Sequence, residues 1–230
     1  TKNVEHKKTI AKDIVNLANK YATKIKGIID AITIVNNEKV EEIKSKFKTF
    51  IDYVFKFADQ IERRVINGEQ IPHSEKVFSI FKPHTEWISK GKSGVICELG
   101  IKVLITTDQY NFIIGHEVMQ NKSDVDVIVD HIKSLLENQH ITSISCDKGF
   151  HSKDNQEQLS KLVKDVVIPN KGKLSEERKK KENEDNFIDL RTQHAEIESN
   201  INGLGSMGYA KCRDVSLEKF KTHVSVTILA

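Results

Sequence analysis

The feature that most constrains the fold is a change of hydrophobic periodicity along the chain. Up to about Val65, apolar residues recur in steps of three and four, which is typical of amphipathic helices. From about Val95 onward, short runs rich in Val, Ile and Leu alternate with helical patterns. Because strands that alternate with helices indicate a sheet covered by helices, the second half predicts an α/β fold.

Residues 1–68 predict two helices. Residues 8–34 carry one apolar stripe and residues 40–65 carry another; Asn36 and Asn37 separate them, and Gly68 ends the second. The first stripe consists of Ile10, Ile14, Leu17, Tyr21, Ile25, Ile28 and Ile32. We interpret this region as an antiparallel helical hairpin. Packing of the two helices against each other is the simpler interpretation, and an arm that grips DNA or forms a dimer is the alternative.

Residues 69–230 predict a partial α/β core. The predicted strands share β-branched and aliphatic residues, and they comprise residues 95–106, 112–118, 141–145 and 166–169. The predicted helices begin after acidic or hydroxyl residues, and they comprise residues 124–136, 152–163, 175–204 and a last helix from about 216. The first two strands form a β-hairpin whose turn is 108–111. We interpret the charged run 176–186 as a solvated helix face.

Composition excludes few functions. The formal net charge is +3 with a pI near 8.6, which permits nucleic-acid binding without arguing for it. Cys97, Cys146 and Cys212 show neither disulfide nor metal spacing, so we expect reduced thiols in the cytosol. No apolar run approaches the roughly 18 residues that a membrane helix needs, so we expect no membrane partner.

Asp147 is the first candidate site residue. It directly follows a predicted strand and precedes Gly149, which lets the chain turn away. Open α/β sheets bind ligands beyond the carboxyl ends of their strands, where an acid is well placed to hold a metal ion. An aspartate that merely closes an Asx turn is the alternative interpretation.

Glu198 is the second candidate. Arg191, His194 and Glu198 follow one another at spacings of three and four, so one helix would present all three on one face. An arginine there can hold a phosphate bidentately while the carboxylate holds a metal ion. Glu196 lies on a different face and is the weaker ligand candidate. A surface helix with intrahelical ion pairs is the alternative.

Two basic turns are candidates for contacts with phosphate groups. Lys171 and Lys173 flank Gly172 after a strand, and Lys90 and Lys92 flank a glycine further upstream. Solvated basic loops would give the same pattern, so both interpretations stay open.

Several motifs together resemble the DDE transposases of bacterial insertion sequences, most closely the ISNCY type. Three motifs carry the resemblance: Asp147-Lys-Gly-Phe-His-Ser-Lys-Asp-Asn, Val-Val-Ile-Pro-Asn-Lys-Gly-Lys, and Arg191 followed by His-Ala-Glu-Ile-Glu198-Ser-Asn-Ile-Asn. The upstream run His-Thr-Glu-Trp-Ile-Ser-Lys-Gly-Lys is also similar. The resemblance covers roughly residues 60–230.

The resemblance implies an RNase H-like core and a cut-and-paste enzyme with two Mg²⁺ ions, for which Mn²⁺ can substitute. Two aspartates and a glutamate hold these ions in the family, and Asp147 and Glu198 match the second aspartate and the glutamate. Arg191 matches the arginine of the arginine-then-glutamate helix. The implied partner is double-stranded DNA at element ends and targets, bound by a homodimer at the bacterial nucleoid in the cytoplasm. We assign DNA contacts to four residues: Lys148, Lys171, Lys173 and His194.

The first catalytic aspartate has no match in this chain. In this fold it lies on a strand before the β-hairpin, where only helices are predicted here. Asp108 lies in the hairpin turn, so we do not expect it to be the third acid. We expect the first strand to lie upstream of Thr1 and the chain to be a truncated copy with little or no activity. Gly205 also departs from the charged residue expected after Leu204.

Two other functions stay open. One is a DNA-binding or dimerising remnant of such an element without catalysis. The other is an RNase H-like nuclease unconnected with transposition. Loss of strand transfer without loss of DNA binding in variants of the two acids would distinguish an enzyme from a remnant.

Overall fold

A computed structural model describes residues 2–33, 37–90, 94, 96–208, 212–213 and 215–229 of the chain. The chain divides into two compact units, Thr1–Gly100 and Ile101–Ala230, here called unit 1 and unit 2. Within the described residues, no helix is both long enough and apolar enough to cross a lipid bilayer. The predicted domain boundary after Gly68 falls inside unit 1 and stays a prediction.

Unit 1 begins with the predicted helical hairpin. Helix α1 spans Lys2–Asp30 and helix α2 spans Glu38–Ile61, followed by a wider turn of helix over Glu62–Ile66. Lys48 pairs with Asp30 at 3.4 Å, and the Lys44 ammonium donates to the Ile32 carbonyl at 3.2 Å. Later residues of α2 therefore meet earlier residues of α1, as in an antiparallel pair.

The ends of α2 follow the predicted signals. The side chain of Asn37 accepts a hydrogen bond from the Val40 backbone and caps the N-terminus. Gly68 follows the last turn with a φ of 77°, a conformation that glycine adopts without strain. Asn36 lies outside the described residues.

Residues beside the predicted apolar stripe, and not the stripe itself, form the buried face of α1. Ala11, Val15, Ala22 and Ile29 are at most 5% exposed. Ala22 and Ile29 form a cluster with Ile51 of α2. The six predicted stripe residues within α1 are instead 40–57% exposed: Ile10, Ile14, Leu17, Tyr21, Ile25 and Ile28. The stripe is therefore only partly covered, and none of its members belongs to the buried cluster between α1 and α2.

The rest of unit 1 contains a short antiparallel sheet. Strands β1 (Glu86–Ser89) and β2 (Cys97–Gly100) pair with Trp87 opposite Leu99. The sequence pattern missed β1. The single strand predicted over residues 95–106 is wrong, because β2 ends at Gly100 and a separate strand begins at Lys102. Gly91, Lys92 and Val95 lie outside the described residues, so the predicted basic turn is described only at Lys90.

Unit 2 opens with the predicted β-hairpin. Strands β3 (Lys102–Thr107) and β4 (Ile113–Met119) pair antiparallel. Asp108 begins the turn, and its Oδ1 accepts hydrogen bonds from the backbone N–H groups of Tyr110 and Phe112, both at 2.9 Å. Asn111 adopts a φ of 68°, which asparagine tolerates in a tight turn.

A parallel strand pair and two helices form the core of unit 2. Helix α3 (Asp124–Leu136) has the predicted bounds; strand β5 (Ser143–Ser145), helix α4 (Lys153–Leu162) and strand β6 (Asp165–Val167) follow. Strands β5 and β6 are parallel. The main core cluster is drawn from α3, β5, α4, β6 and their connections: Ile128, Val129, Ile132, Ile144, Cys146, Leu159, Val163, Val166 and Ile168.

The long helix predicted over residues 175–204 is wrong. The chain forms three helices there: α5 (Glu176–Glu182), α6 (Asp185–His194) and α7 (Ile197–Ser206). Backbone hydrogen bonds to the third residue back replace the α-helical ladder around Ala195 and Glu196. Helix α8 (Leu217–Leu229) begins where predicted.

The predicted α/β class is confirmed in this coarse form. Within the described residues the strands form three two-stranded sheets, and the helices carry most of the chain. The finer expectation of an RNase H-like core stays a prediction.

Candidate active site

Strand β5 delivers Asp147 to the surface. Ile144 and Cys146 are buried, and the Cys146 backbone extends the parallel pairing by donating to the Val167 carbonyl at 2.9 Å. Burial raises the pKa of the Cys146 thiol to about 12, so this thiol is a neutral core group. Asp147 follows, and 79% of its side chain is exposed. The carboxylate therefore stands at the end of a buried strand, as predicted.

His194 is the direct partner of Asp147. Its Nε2 lies 3.3 Å from Asp147 Oδ1 and can donate a hydrogen bond, and 21% of the His194 side chain is exposed. This hydrogen bond is the main reason why the pKa of Asp147 lies below its usual value, although partial desolvation opposes the shift. Asp147 is therefore a carboxylate at neutral pH. The contact connects the end of β5 to the last turn of α6.

Gly149 lies in close approach to Asp124 and does not adopt a left-handed conformation. A Cβ atom added at Gly149 would lie 2.7 Å from Asp124 Oδ2. Asp124 is held in place because its other oxygen pairs with the Lys102 ammonium at 2.7 Å. The short turn after Asp147 therefore sits directly against the first turn of α3.

The buried Asn155 holds the same turn from α4. Its side chain is 4% exposed, and its Nδ2 donates to the carbonyls of Val125 and Phe150 at 2.9 and 3.1 Å. This residue joins α3, α4 and the turn after Asp147. Sequence reasoning missed it because an asparagine early in a helix usually indicates only a capping role.

Lys171 contacts the turn that follows Asp147. Its Nζ donates to the Gly149 carbonyl at 2.8 Å, and the neighbouring Asn170 N–H donates to Glu182 Oε1 at 3.0 Å. Lys148 and Lys173 are exposed, and their side chains have no hydrogen bond or ion pair within the part of the chain that the structure describes. The three predicted DNA-contacting lysines therefore differ in how free they are.

Helix α5 anchors the loop that carries Lys171. Arg178 Nη2 donates to the Ile168 carbonyl at 2.8 Å and to Gln156 Oε1 at 3.2 Å, and its Nε lies 3.5 Å from Glu182 Oε1. Only 17% of Arg178 and 11% of Glu182 are exposed. The interpretation of this run as a purely solvated face is wrong at these two positions. Their spacing of four residues was the only signal in the sequence.

Arg191, His194 and Glu198 do not share one helix. Arg191 and His194 belong to α6, whereas Glu198 lies in the first turn of α7, beyond the break at Ala195. The prediction of a single helical face is wrong. Arg191 and Glu198 are both exposed, and neither side chain has a hydrogen-bond or ion-pair partner among the described residues.

The turn of the β-hairpin contacts the start of α7. Asn111 Nδ2 donates to Glu196 Oε2 at 2.8 Å, and Asn200 Nδ2 donates to the Asn111 carbonyl at 2.9 Å. Glu196 thus has a structural partner, whereas Glu198, two residues further along, has none among the described residues. Asp108 Oδ1 accepts two hydrogen bonds from its own turn, and the expectation that Asp108 is not the third acid stays a prediction.

The donor chemistry fits a hard divalent cation, although no complete ligand set is assembled. Asp147 and Glu198 provide carboxylate oxygens, which Mg²⁺ and Mn²⁺ prefer. Within the described residues, no group of three or more His, Cys, Asp or Glu side chains is placed to hold a metal ion. We therefore treat the two acids as candidates for part of a metal site.

Comparison with known proteins identifies the family. A family model described as the transposase DDE domain matches residues 62–230, which include all of unit 2 and the segment from the end of α2 onward. No curated protein and no solved structure matches the chain. The family match covers well over half of the chain and confirms the resemblance that the motifs around Asp147 and Glu198 indicated. The chain therefore belongs to the transposase DDE domain family.

Proposed function

We propose that this chain supplies Asp147 and Glu198 to a metal-dependent site that cuts and joins DNA at the ends of an insertion sequence. The observation that carries the proposal is the contact between His194 and Asp147. It brings the acid at the end of β5 to the helix that immediately precedes the acid-bearing α7. The family match supports DNA transposition as the reaction class.

The two acids have the properties that metal ligands need. Asp147 is ionised because its pKa is lowered, and its Oδ2 has no hydrogen-bond partner within the described residues. Glu198 is exposed and equally free. Bound Mg²⁺, or Mn²⁺ in its place, would activate an attacking hydroxyl and stabilise the leaving oxygen of a phosphodiester. In the proposed RNase H-like core these roles need two ions and a third acid.

His194 has a positioning role in this proposal. By donating to Oδ1 it holds the Asp147 carboxylate in one orientation and leaves Oδ2 for a cation. The assignment of His194 as a DNA contact stays a prediction.

DNA phosphates would be bound by exposed cations around the two acids. Arg191, Lys148 and Lys173 have no protein partner in the described part of the chain, so they are available to phosphate oxygens. Arg191 can bind a phosphate bidentately. Lys171 contributes charge at the same place while its ammonium supports the Gly149 carbonyl. We place this chemistry at the bacterial nucleoid, where the DNA lies.

Metal binding tests the assignment of the acids. We expect Mn²⁺ to broaden NMR signals of Asp147 and Glu198 selectively, and to do so only at high concentration because two carboxylates bind a cation weakly. Asp147→Asn and Glu198→Gln should each remove the effect at both positions. Asp130→Asn is the matched control, since its side chain is 86% exposed and its ion pair is with Lys133 on the same helix. Broadening centred on other acids would refute the assignment.

DNA assays test the reaction. We expect the 230-residue chain alone to bind DNA and to cleave it little, because the described acids do not complete a three-carboxylate site. Substantial Mg²⁺-dependent cleavage by this chain would refute that expectation. If a complete enzyme carrying these residues cuts DNA but never joins strands, the RNase H-like nuclease alternative holds. If the Asp147 and Glu198 variants retain full activity, these residues are not catalytic.

A further inference from the structure

The most conspicuous feature that the proposed function does not use is an apolar face on the helical hairpin of unit 1. It consists of eight large side chains, which we call the hairpin face: Ile10, Ile14, Leu17, Tyr21, Ile25, Ile28, Ile43 and Phe47. Each of them is 40–57% exposed. The same helices bury a different set of residues between them, so the hairpin face is not needed for the hairpin to form.

Helical geometry places these residues on one side of the hairpin. The α1 members recur in steps of three and four, about a quarter turn away from the buried Ala11, Val15, Ala22 and Ile29. In the antiparallel α2, Ile43 and Phe47 are displaced from Ile51 and Ala58 toward the same side. The face therefore runs along most of α1 and continues onto the first half of α2.

The second half of α2 is partly covered by an aromatic segment that follows it in unit 1. Phe50 is half-buried, and its ring packs at 5.5 Å between centroids against Phe81. Phe78 in the same segment packs against Trp87 at 6.0 Å. This aromatic segment contacts α2 at Phe50, and the aromatic members of the hairpin face have no such ring contact among the described residues.

The area of the hairpin face matches what a stable protein interface needs. Eight large side chains exposed by about half amount to roughly 700 Å² of mainly apolar surface. Standard interfaces bury about 800 Å² on each partner. Contiguous apolar patches on monomeric proteins seldom exceed about 300–600 Å², and larger ones usually mark interaction sites.

We infer that the hairpin face is the dimerisation surface of this protein and that its occupant is the hairpin face of a second copy. The 4-3-4 spacing from Ile10 through Ile14 and Leu17 to Tyr21 is the spacing of a coiled-coil seam, which is complementary to itself. A two-fold interface needs such a self-complementary patch, because each copy presents the same residues to the other. This inference uses no residue of the proposed active site and stands or falls separately from it.

The charge of α1 gives the dimer a distinctive salt dependence. Helix α1 carries seven lysines and three acids, so pairing two copies brings like charges together. Added salt screens this repulsion and should strengthen the dimer. DNA held by the same lysines would instead be released by salt. The direction of the salt effect therefore separates a second copy from DNA as the occupant.

Sedimentation equilibrium of the full 230-residue chain tests the inference. We expect a reversible dimer at micromolar concentrations. Its dissociation constant should be lower in about 0.5 M than in about 0.1 M NaCl, because salt screens the repulsion between like charges. The Leu17→Glu and Tyr21→Glu double variant should weaken the dimer about 100-fold or more. The control is Asn16→Glu with Thr23→Glu, which adds the same charges to the opposite, polar side of α1 and should leave dimerisation unchanged. Circular dichroism verifies that both variants keep their helices.

Three results would overturn the inference. One is a wild-type chain that stays monomeric at all concentrations and salts, with the hairpin face either protected by another part of the chain or open to solvent. The second is a dimer that the Leu17→Glu and Tyr21→Glu double variant does not weaken. The third is a chain that does not dimerise but binds DNA in a salt-sensitive way, with this binding lost in the Leu17→Glu and Tyr21→Glu double variant. That result would assign the hairpin face to DNA. Failure of the proposed DNA reaction alone would leave the dimer untouched.

Discussion

The two amphipathic helices α1 and α3 use their apolar residues in opposite ways. In α3 five residues are buried, including the neighbours Val127, Ile128 and Val129, because strands, α4 and the turn after Asp147 surround it. In α1 one set of apolar residues, which includes Ala22 and Ile29, is buried, whereas the apolar residues of the neighbouring stripe are about half exposed. A helical period therefore predicts a helix in both cases. It does not say which of its apolar residues another element covers.

The largest contrast should come from truncating large side chains in the two regions. Leu159 in the core of unit 2 is fully buried, so Leu159→Ala should lower the free energy of unfolding by about 2–5 kcal/mol. At protein concentrations too low for association, Leu17→Ala on α1 should change it by less than about 0.5 kcal/mol, since its side chain is 56% exposed. Urea denaturation followed by circular dichroism measures both. Equal losses under these conditions would mean that another part of the same chain covers Leu17.

The α1–α2 interface should respond to added volume instead. Ala22 is 4% exposed in contact with Ile51, so Ala22→Leu should cost about 1–3 kcal/mol of unfolding free energy through overpacking. Fluorescence of Trp87, the only tryptophan, reports unfolding of unit 1. Thr23→Leu is the matched control because Thr23 is exposed. A neutral Ala22→Leu would contradict the tight packing of the pair.

A buried polar contact of unit 2 has a comparable or smaller expected effect. Asn155→Ala removes the donor for the Val125 and Phe150 carbonyls, which should cost about 1–3 kcal/mol. Lys161→Ala, on the exposed side of the same helix, should cost only a few tenths of a kcal/mol. Thermal unfolding compares the two. If both variants unfold like the wild type, Asn155 does not hold the turn after Asp147.

Acidification should affect unit 2 through the buried His131. Burial is the main cause of its lowered pKa and His116 adds to it, whereas Glu117 opposes the shift. A base with a lowered folded pKa binds fewer protons when folded than when unfolded. Its contribution to stability is therefore complete above the unfolded pKa of about 6.5 and is lost as the pH falls below it. His131 Nε2 also lies 2.8 Å from Thr106 Oγ1.

Urea denaturation between pH 7.5 and 5.5 measures this dependence. We expect the midpoint of the wild type to fall with pH, and His131→Gln to flatten the profile. His151 and His84 have pKa values lowered in the same direction, so some dependence should remain. A variant profile parallel to that of the wild type would show that His131 is not a source of the effect.

The smallest effect on stability is expected at the candidate site itself. His194→Ala should raise the pKa of Asp147, because it removes the hydrogen bond that lowers this pKa. Stability should change by less than about 0.5 kcal/mol, since the Asp147 side chain is mostly exposed. Carbon NMR of the Asp147 carboxyl group measures the pKa. An unchanged pKa would mean that the contact does not persist in solution.

Much of the secondary structure was predictable from local signals. The acids and Ser123 at the start of α3, Ser152 before α4 and Gly68 after α2 all act where the sequence placed them. The β-hairpin turn at Asp108 was predictable because an aspartate there can accept from its own turn. These features depend on neighbours within a few residues, which is why a single sequence contains them.

The predictions are wrong where contacts between residues far apart in the chain determine the local structure. The predicted helix 175–204 breaks near Ala195, where Asn111 from the β-hairpin binds Glu196 and the Asn200 side chain binds the Asn111 backbone. Beyond that break Glu198 belongs to α7, whereas Arg191 and His194 belong to α6. Helical spacing within the segment does not predict this break, because Asn111, which contacts Glu196 and Asn200, lies in another element.

The sequence by itself determined the helical hairpin, the strand that carries Asp147 and, through its motifs, the transposase DDE domain family. Only the tertiary structure decided that His194 donates to Asp147, that Lys171 supports Gly149, and that the α1 stripe stays exposed. The physical reason is range: propensity, capping and periodicity act within a few residues of the chain. Burial and hydrogen-bond partnership depend on which surfaces the folded chain brings together.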